Sequence, residues 1–160
     1  MKLSEFMVKE AIVAQLQGTS RDETIRELVA SLAQAGRIGT EQVDDIVEKL
    51  IEREAQGSTG IGKGIAVPHI KHDSVTEITG TIGCSAAGID FNSLDKAPVY
   101  SVLLLLSPWN NPDRHLEAME SLFAHLQRER FRKFLRQSET QEAIIDLIQE
   151  ADEAQQESGL

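Results

Sequence analysis

The sequence predicts an α/β fold in which a small β-sheet has helices packed on both of its faces. Apolar residues recur at helical spacing on either side of a central group of short aliphatic runs. The run 102–106 is entirely apolar, without the polar alternation of a strand that has one face in water. Helical and strand patterns interleave along the chain without an internal repeat. These observations together favour a sheet covered by helices on both sides.

The first part of the chain predicts one strand and two helices. Ile12–Leu16 is short and rich enough in aliphatic residues to be a strand. Ser20 and Glu23 form a capping-box pattern, which predicts a helix from about 21 to 34. Thr40 can cap a second helix that should end near Gln56.

Three further strands are expected in the centre of the chain. Ile65-Ala66-Val67 is too short for a helix and is stopped by Pro68, so we expect a short strand that ends at His69. The segments 78–85 and 99–106 are the other two candidates. The last of them contains the apolar run and should lie in the middle of the sheet.

The remainder of the chain is predicted to be helical. Asn111 can cap a helix whose first residue is Pro112. A short helix and a final helix follow, marked by Phe131, Phe134 and Leu135 and by Ala143, Ile144, Leu147 and Ile148. We assign residues 1–150 to one domain and expect residues 151–160 to be a frayed polar tail.

Composition excludes several classes of function. The 160 residues carry a formal net charge of −10, which disfavours binding to nucleic acid and to anionic membranes. No apolar stretch is long enough to span a bilayer, and acidic residues interrupt the N-terminus from Glu5 onward, so we expect neither membrane insertion nor a secretory signal. Cys84 is the single cysteine, which suits a reducing compartment. A cytoplasmic protein is the expectation.

The segment 57–64 is rich in glycine and invites a nucleotide-binding interpretation. Gly57 and Gly62-Lys63 satisfy most of a phosphate-loop pattern, but Gly64 stands where a hydroxyl for magnesium is needed. The segment also follows a helix and leads into a strand, the reverse of a phosphate loop, so no helix N-terminus is left to hold phosphates. Taken alone, the segment is most simply a flexible connection with unusual dihedral angles.

The residue that follows this segment changes the interpretation. Pro68 stiffens the backbone directly before His69, and bare glycines at positions 60, 62 and 64 would let another protein come close. A nucleophile that attacks a phosphoryl group held by a partner needs a fixed position and an open approach. Neutral imidazole is a good nucleophile near neutral pH, and this chemistry requires no cofactor and no metal. We therefore predict that His69 accepts a phosphoryl group, with Gly60, Gly62 and Gly64 as a partner-approach loop.

Two other residues are candidates for stabilising that group. His115 lies four residues after Asn111, near the positive end of a predicted helix dipole, where it could bond a phosphoryl oxygen or merely cap the helix. Arg53 lies near the end of the second helix and is either a solvated charge or, if this end abuts His69, a fork for phosphate oxygens.

The other histidines and the basic residues give weaker signals. His69 and His72 have an H-x-x-H spacing, but without a cysteine partner this is poor support for a metal site, and we predict none. His125 is expected at a helix surface or a core edge. The group Arg128, Arg130, Arg132, Lys133 and Arg136 is expected to be a solvated helix face, with an acidic partner patch as the alternative.

These residues carry a family resemblance. The matching segments are Arg53-Glu54, Gly57-Ser58-Thr59-Gly60-Ile61-Gly62, Gly64-Ile65-Ala66-Val67-Pro68-His69 and His115-Leu116. With them the chain resembles, from about residue 3 to residue 150, the mannitol/fructose-type (type 2) enzyme IIA domain of the bacterial phosphoenolpyruvate-dependent sugar phosphotransferase system. Within that group it looks most like the stand-alone nitrogen-regulatory branch.

The resemblance implies roles for residues and for partners. It implies a mixed sheet flanked by helices, with His69 as the phosphorylated histidine, His115 as a second active-site histidine and Arg53 as an arginine near the site. It implies the phosphocarrier protein HPr or a paralogue as donor, and a IIB domain or a regulatory target as acceptor. The continuation Ile70-Lys71-His72 departs from the usual family text and bears on partner preference.

The sequence is therefore compatible with three functions. The first is a phosphohistidine carrier that passes its group to a IIB domain on a separate chain, since we expect no attached IIB or IIC domain. The second is a regulatory interaction module that phosphorylation of His69 switches, with no role in sugar transport. The third is a metal-binding or structural domain.

Overall fold

The computed structural model describes residues 1–157 of the chain. The helices are α1 Arg21–Gln34, α2 Val43–Gln56, α3 Pro112–Leu126, α4 Glu129–Gln137 and α5 Gln141–Glu157. The strands are β1 Gly60–Gly62, β2 Ile65–Ala66, β3 His69–Lys71, β4 Thr79–Ile89 and β5 Val99–Ser107. Three short 3₁₀ turns lie at Leu3–Glu5, Lys9–Ala11 and Thr40–Gln42. No helix within residues 1–157 is long and apolar enough to cross a membrane.

The predicted helix starts are confirmed where a capping residue marks them. The Ser20 hydroxyl accepts a hydrogen bond from the Glu23 backbone N–H at 3.1 Å, so α1 begins as predicted. The Asn111 side chain accepts from the Arg114 N–H at 3.3 Å, with Pro112 as the first residue of α3. Helix α2 also ends at Gln56 as predicted. The predicted cap at Thr40 is wrong, because residues Thr40–Gln42 form a 3₁₀ turn and α2 begins at Val43 without a side-chain cap.

Strand β5 is the centre of a mixed sheet. Strand β4 pairs with it antiparallel along one edge, and β2 and β3 pair with it parallel. Because β4 already bonds the same stretches of β5, both β2 and β3 must lie along the opposite edge. They form one line of chain that is interrupted at Val67-Pro68, where proline has no N–H for the ladder. Strand β1 pairs antiparallel with β2.

The apolar run of β5 is buried on both faces, as the sequence predicts. All five residues from Val102 to Leu106 are fully buried. Leu103 and Leu105 pack into a core formed with α3, α4 and α5, whereas Val102, Leu104 and Leu106 pack into a core with α1 and α2. Successive side chains of a strand point to opposite faces, so one apolar segment joins both cores.

The predicted strand 12–16 is wrong. Residues 9–11 form a 3₁₀ turn, and Val13 makes only an isolated bridge to Gly83. Backbone bonds from Val13 to Ile82 and from Leu16 to Cys84 keep this segment beside β4 without a continuous ladder. Aliphatic composition alone does not reveal how many ladder bonds a segment makes.

The expected frayed tail is also wrong over most of its length. Helix α5 continues to Glu157, and residues 158–160 lie outside the described part of the chain. Asp152 is 7% exposed, and its carboxylate accepts from the backbone N–H of Leu3 at 2.7 Å and of Ser4 at 3.2 Å. These bonds cap the first turn of the chain, so a polar residue is buried where the sequence indicated solvent.

Candidate functional site

His69 is the first residue of β3 and does not end a strand as predicted. It resumes the sheet after the interruption at Val67-Pro68 and lies opposite Leu105 in the register of β5. Its Nδ1 lies 2.8 Å from the carbonyl oxygen of Val67. A carbonyl oxygen only accepts, so Nδ1 carries the proton of the neutral ring and Nε2 keeps a free lone pair. The ring is half-buried, with the nucleophilic nitrogen defined by this bond.

His115 lies beside His69. The two ring centroids are 6.2 Å apart and the rings are inclined by 39°. Nδ1 of His115 forms a hydrogen bond of 2.5 Å with the hydroxyl of Ser107, the last residue of β5. The helix start at Asn111 and the end of β5 therefore bring the second histidine to the first.

Partial burial and nearby positive charge favour the neutral form of His115. Partial burial is the largest cause that lowers the pKa of the His115 imidazole, and the charges of Lys71 and His69 lower this pKa further. A neutral ring has one N–H donor and one acceptor nitrogen. When the Ser107 hydroxyl donates to Nδ1, the proton of His115 stands on Nε2 and is available to an anion.

Arg53 lies in the same cleft as the two histidines. Its Nη1 donates to the carbonyl oxygen of Gly57 at 2.7 Å, which ties the end of α2 to the start of the glycine-rich segment. The guanidinium has four further N–H donors. No carboxylate of the described residues lies within 4 Å of it, so it is not an ion-paired surface charge there.

The cleft itself is open and carries positive charge. Its volume is about 350 Å³. Its walls include His69, His115 and Trp109, the three cations Lys49, Arg53 and Lys71, and one carboxylate, Glu52. The Lys71 ammonium lies 5.8 Å from the centre of the Trp109 ring, and Trp109 is 62% exposed. In a chain of net charge −10, this cluster of cations marks a place for an anion.

Several residues of this site were not found from the sequence, among them Lys71 and Trp109 in the cleft wall and Ser107, which is buried and bonds His115. Lys71 was noted only as a departure from the family text, and Ser107 and Trp109 were not noted. Lys71 pairs with Ser107 in the register of β3 and β5, so both side chains belong to the same end of the sheet. The signal that could have found Ser107 is its position as the first polar residue after the apolar run.

Packing and backbone conformation explain why glycine occupies the three positions of the predicted approach loop. Gly60 and Gly62 are buried, and a Cβ at Gly60 would lie 3.0 Å from the Cα of Ser93. Gly62 and Gly64 have φ of +94° and +77°, which side chains disfavour. A part in partner approach stays a prediction for these glycines.

His72 is held by internal hydrogen bonds. It is 8% exposed, its Nε2 lies 2.5 Å from a carboxylate oxygen of Asp45, and its Nδ1 lies 2.7 Å from the Ser74 hydroxyl. The bond to His72 is the largest cause that lowers the pKa of Asp45. His72 thus joins α2 to the end of β3, and within residues 1–157 no group of three or more metal-ligating side chains is assembled.

The remaining sequence candidates lie elsewhere. His125 is 3% exposed and packs against Phe131 with ring centroids 5.6 Å apart, so it is a core residue of α3. Four of the five basic residues at positions 128–136 are exposed around α4, as expected for a solvated face. One of them, Arg136, stacks on Tyr100 at 3.6 Å from the ring centre.

Comparison with known proteins shows the family. The family model described as "Phosphoenolpyruvate-dependent sugar phosphotransferase system, EIIA 2" matches residues 5–151. The fructose-specific EIIABC component of Bacillus subtilis is 37% identical over 152 residues, which are 95% of this chain but only 24% of that protein. A nitrogen regulatory protein of Bradyrhizobium diazoefficiens is 31% identical over 148 residues, 92% of this chain and 95% of that protein.

The structural comparison agrees and confirms the mixed α/β fold. The nitrogen regulatory protein IIA-Ntr of Neisseria meningitidis has a TM-score of 0.81 and 27% identity, over 91% of this chain and 98% of that one. Relatives of both the transport and the nitrogen-regulatory kind are thus present. The chain belongs to the EIIA type 2 family and is a phosphocarrier or regulatory component of the phosphoenolpyruvate-dependent sugar phosphotransferase system.

Proposed function

We propose that Nε2 of His69 accepts a phosphoryl group from a phosphocarrier protein and later gives it up to an acceptor. The observation that carries this proposal is the 2.8 Å contact between His69 Nδ1 and the Val67 carbonyl oxygen. It puts the proton on Nδ1 and leaves the Nε2 lone pair free in a half-buried ring beside an open, cationic cleft. Such a nitrogen is an activated nucleophile that needs no further base.

The transfer step is balanced without a further reactant. The Nε2 lone pair of His69 forms the new N–P bond while the N–P bond of the donor phosphohistidine breaks, and its electron pair returns to the donor ring. Positive charge then develops on the His69 imidazole. The Val67 carbonyl oxygen, already bonded to Nδ1–H, stabilises that charge where it forms.

Three side chains of the cleft act on the phosphoryl oxygens in this proposal. His115 donates an N–H from Nε2, with its Nδ1 occupied by the Ser107 hydroxyl. Arg53 supplies free guanidinium donors from the end of α2, and Lys71 adds a point charge. The exposed Trp109 and the open cleft leave room for the partner that carries the group.

The partners follow from the family. The donor is HPr or a paralogue, and the acceptor is a IIB domain in a transport role or a regulatory target protein otherwise. A cytoplasmic location is part of the same proposal, because the other phosphocarriers act there. The chain covers a quarter of the fructose-specific relative, so fructose as the transported sugar is not part of it.

Labelling with radioactive phosphoenolpyruvate tests the proposal. The full chain is incubated with enzyme I and HPr, and acid-labile phosphate is measured on the wild type, His69→Gln and the control His72→Gln. We expect one phosphate on the wild type and on His72→Gln, attached to Nε2 of His69, and none on His69→Gln. Equal labelling of wild type and His69→Gln would contradict the proposal.

A regulatory role is the second candidate. The observation that favours it is the match to a nitrogen regulatory protein over 95% of that protein's length. In this role the phosphoryl group on His69 changes the binding of another protein and is not passed to a sugar. Two results support this role. The phosphorylated wild-type chain transfers no phosphate to a purified IIB domain, and the variants His69→Ala and His69→Asp bind different partner proteins. Rapid transfer to IIB with identical partner sets favours the carrier role.

A further inference from the structure

Glu54 is a buried carboxylate next to the phosphoryl-transfer site. It is 4% exposed and lies in the last turn of α2, beside Arg53. The backbone N–H of Thr59 donates to its Oε2 at 3.0 Å, and the Thr59 hydroxyl donates to its Oε1. No cation of the described residues lies within 4 Å of it, so both oxygens serve one residue of the glycine-rich segment.

The residue that Glu54 holds is connected to His69 by two further hydrogen bonds. The carbonyl oxygen of Thr59 accepts from the Val67 N–H at 3.0 Å. The carbonyl oxygen of the same Val67 accepts from His69 Nδ1 at 2.8 Å. Three successive hydrogen bonds therefore connect the Glu54 carboxylate to the imidazole through two residues, Thr59 and Val67.

The position of the Val67 backbone depends on these hydrogen bonds. Val67 lies in the gap between β2 and β3, where Pro68 interrupts the ladder with β5. The Val67 N–H is bonded to Thr59, and Thr59 is fixed by Glu54.

We propose that Glu54 is a positioning residue that holds His69 in the Nδ1–H tautomer through the backbone of Thr59 and Val67. This inference rests on the proposed function of His69 and assigns a second task to α2, whose adjacent Arg53 faces the cleft. Glu54 itself touches no reacting atom. Its part is to aim the Val67 carbonyl oxygen, which decides which nitrogen of His69 is the nucleophile.

Substitutions at Glu54 separate position from charge. Glu54→Gln keeps an oxygen for the Thr59 N–H and offers an amide donor to the Thr59 hydroxyl, so it preserves the link without the charge. Glu54→Asp keeps the charge but is one methylene too short to hold Thr59 in the same place. Glu54→Ala removes the link, and Glu48→Ala changes an exposed glutamate of the same helix as a control.

Two readouts are taken on the full chain. The first is the tautomer of His69 in the unphosphorylated protein, from the chemical shifts of its two ring nitrogens, which needs no partner protein. The second is the rate of phosphorylation by HPr. We expect Glu54→Gln and Glu48→Ala to keep the Nδ1–H tautomer and the phosphorylation rate of the wild type. Glu54→Ala and Glu54→Asp should show a mixture of both tautomers and a phosphorylation rate reduced at least about tenfold.

Specific results at Glu54 would contradict the positioning role. The inference is overturned if Glu54→Asp and Glu54→Ala keep the wild-type tautomer of His69. It is also overturned if Glu54→Gln is as defective as Glu54→Ala, because the negative charge of Glu54, and not its hydrogen bonds to Thr59, would then be what matters. Circular dichroism checks folding, and if Glu54→Ala does not fold, Glu54→Asp decides. The two proposals can also fail separately. If the Glu54 substitutions change the His69 tautomer but the wild-type chain accepts no phosphate, the proposed function is refuted and the positioning role is kept.

Discussion

The imidazole rings of His69 and His115 lie with their centroids 6.2 Å apart, although 46 positions separate the two residues in the chain (115 − 69 = 46). One ring stands at the start of β3 and the other in the first turn of α3. Both rings therefore border the same cleft. The two rings differ in what their Nδ1 atoms bond, which is a backbone carbonyl oxygen for His69 and the Ser107 hydroxyl for His115.

Removing the second histidine should slow phosphorylation of His69. We expect His115→Ala to reduce the rate about 10²–10³-fold, the usual loss when one donor to a developing anion is removed. Ser107→Ala should cause a smaller loss, because the ring remains but loses the hydrogen bond that holds its Nδ1. His125→Gln, which changes a histidine about 15 Å further along the same helix, is the control. A wild-type rate for His115→Ala would exclude a role in transfer.

Phosphorylation of His69 should raise the pKa of His115. In the unphosphorylated protein, partial burial first and then the charges of Lys71 and His69 hold this pKa below its ordinary value of 6.5, so the ring is neutral at pH 7. A phosphoryl anion beside the ring favours imidazolium, and we therefore expect the pKa of His115 to rise. Titration of the ring protons by nuclear magnetic resonance before and after phosphorylation measures it. An unchanged pKa would mean that His115 does not contact the group.

Lys71 should contribute to phosphoryl transfer although its signal in the sequence was weak. Lys71→Gln removes a charge from the cleft, and we expect phosphorylation by HPr to be about 10–100-fold slower, the loss of one charge-assisted hydrogen bond. The same change should raise the pKa of His115, because Lys71 lowers it. Lys9→Gln alters an exposed lysine of an N-terminal turn and should change neither quantity.

His72 should matter for stability and not for transfer. Its buried ring bonds Asp45 and Ser74, so we expect His72→Ala to lower the free energy of unfolding by about 1–3 kcal/mol. The adjacent pair of Asp44 with Arg26 is exposed, and Asp44→Ala should behave as an ordinary surface substitution. Urea denaturation at pH 7 compares the variants. Equal midpoints for the two would show that the His72 contacts add nothing.

The sequence was sufficient wherever local chemistry decides the structure. Ser20 and Asn111 marked helix starts because a capping side chain bonds a backbone N–H only three residues away. The apolar run ending at Leu106 predicted a strand that is covered on both faces. Side chains of a strand point alternately to its two faces, so a run without polar residues is apolar on both. His69 was identified from its own segment, since proline stiffens the backbone beside it.

The sequence was insufficient wherever the contact joins distant segments. Ile12–Leu16 looks like a strand, yet it bonds β4 only intermittently. Asp152 reads as a tail residue, yet it caps the first turn of the chain. Neither outcome is encoded near the residue concerned.

By itself, then, the sequence determined the α/β class, most of the helix and strand positions, and the histidine that carries the proposed chemistry. Only the tertiary structure decided which ring nitrogen of His69 is free, that the Ser107 hydroxyl bonds Nδ1 of His115, and that hydrogen bonds connect Glu54 to His69 through Thr59 and Val67. The physical reason is that a tautomer depends on the partner at hydrogen-bond distance. For these rings that distance is set by the packing of α2, α3 and β5, and not by spacing along the chain.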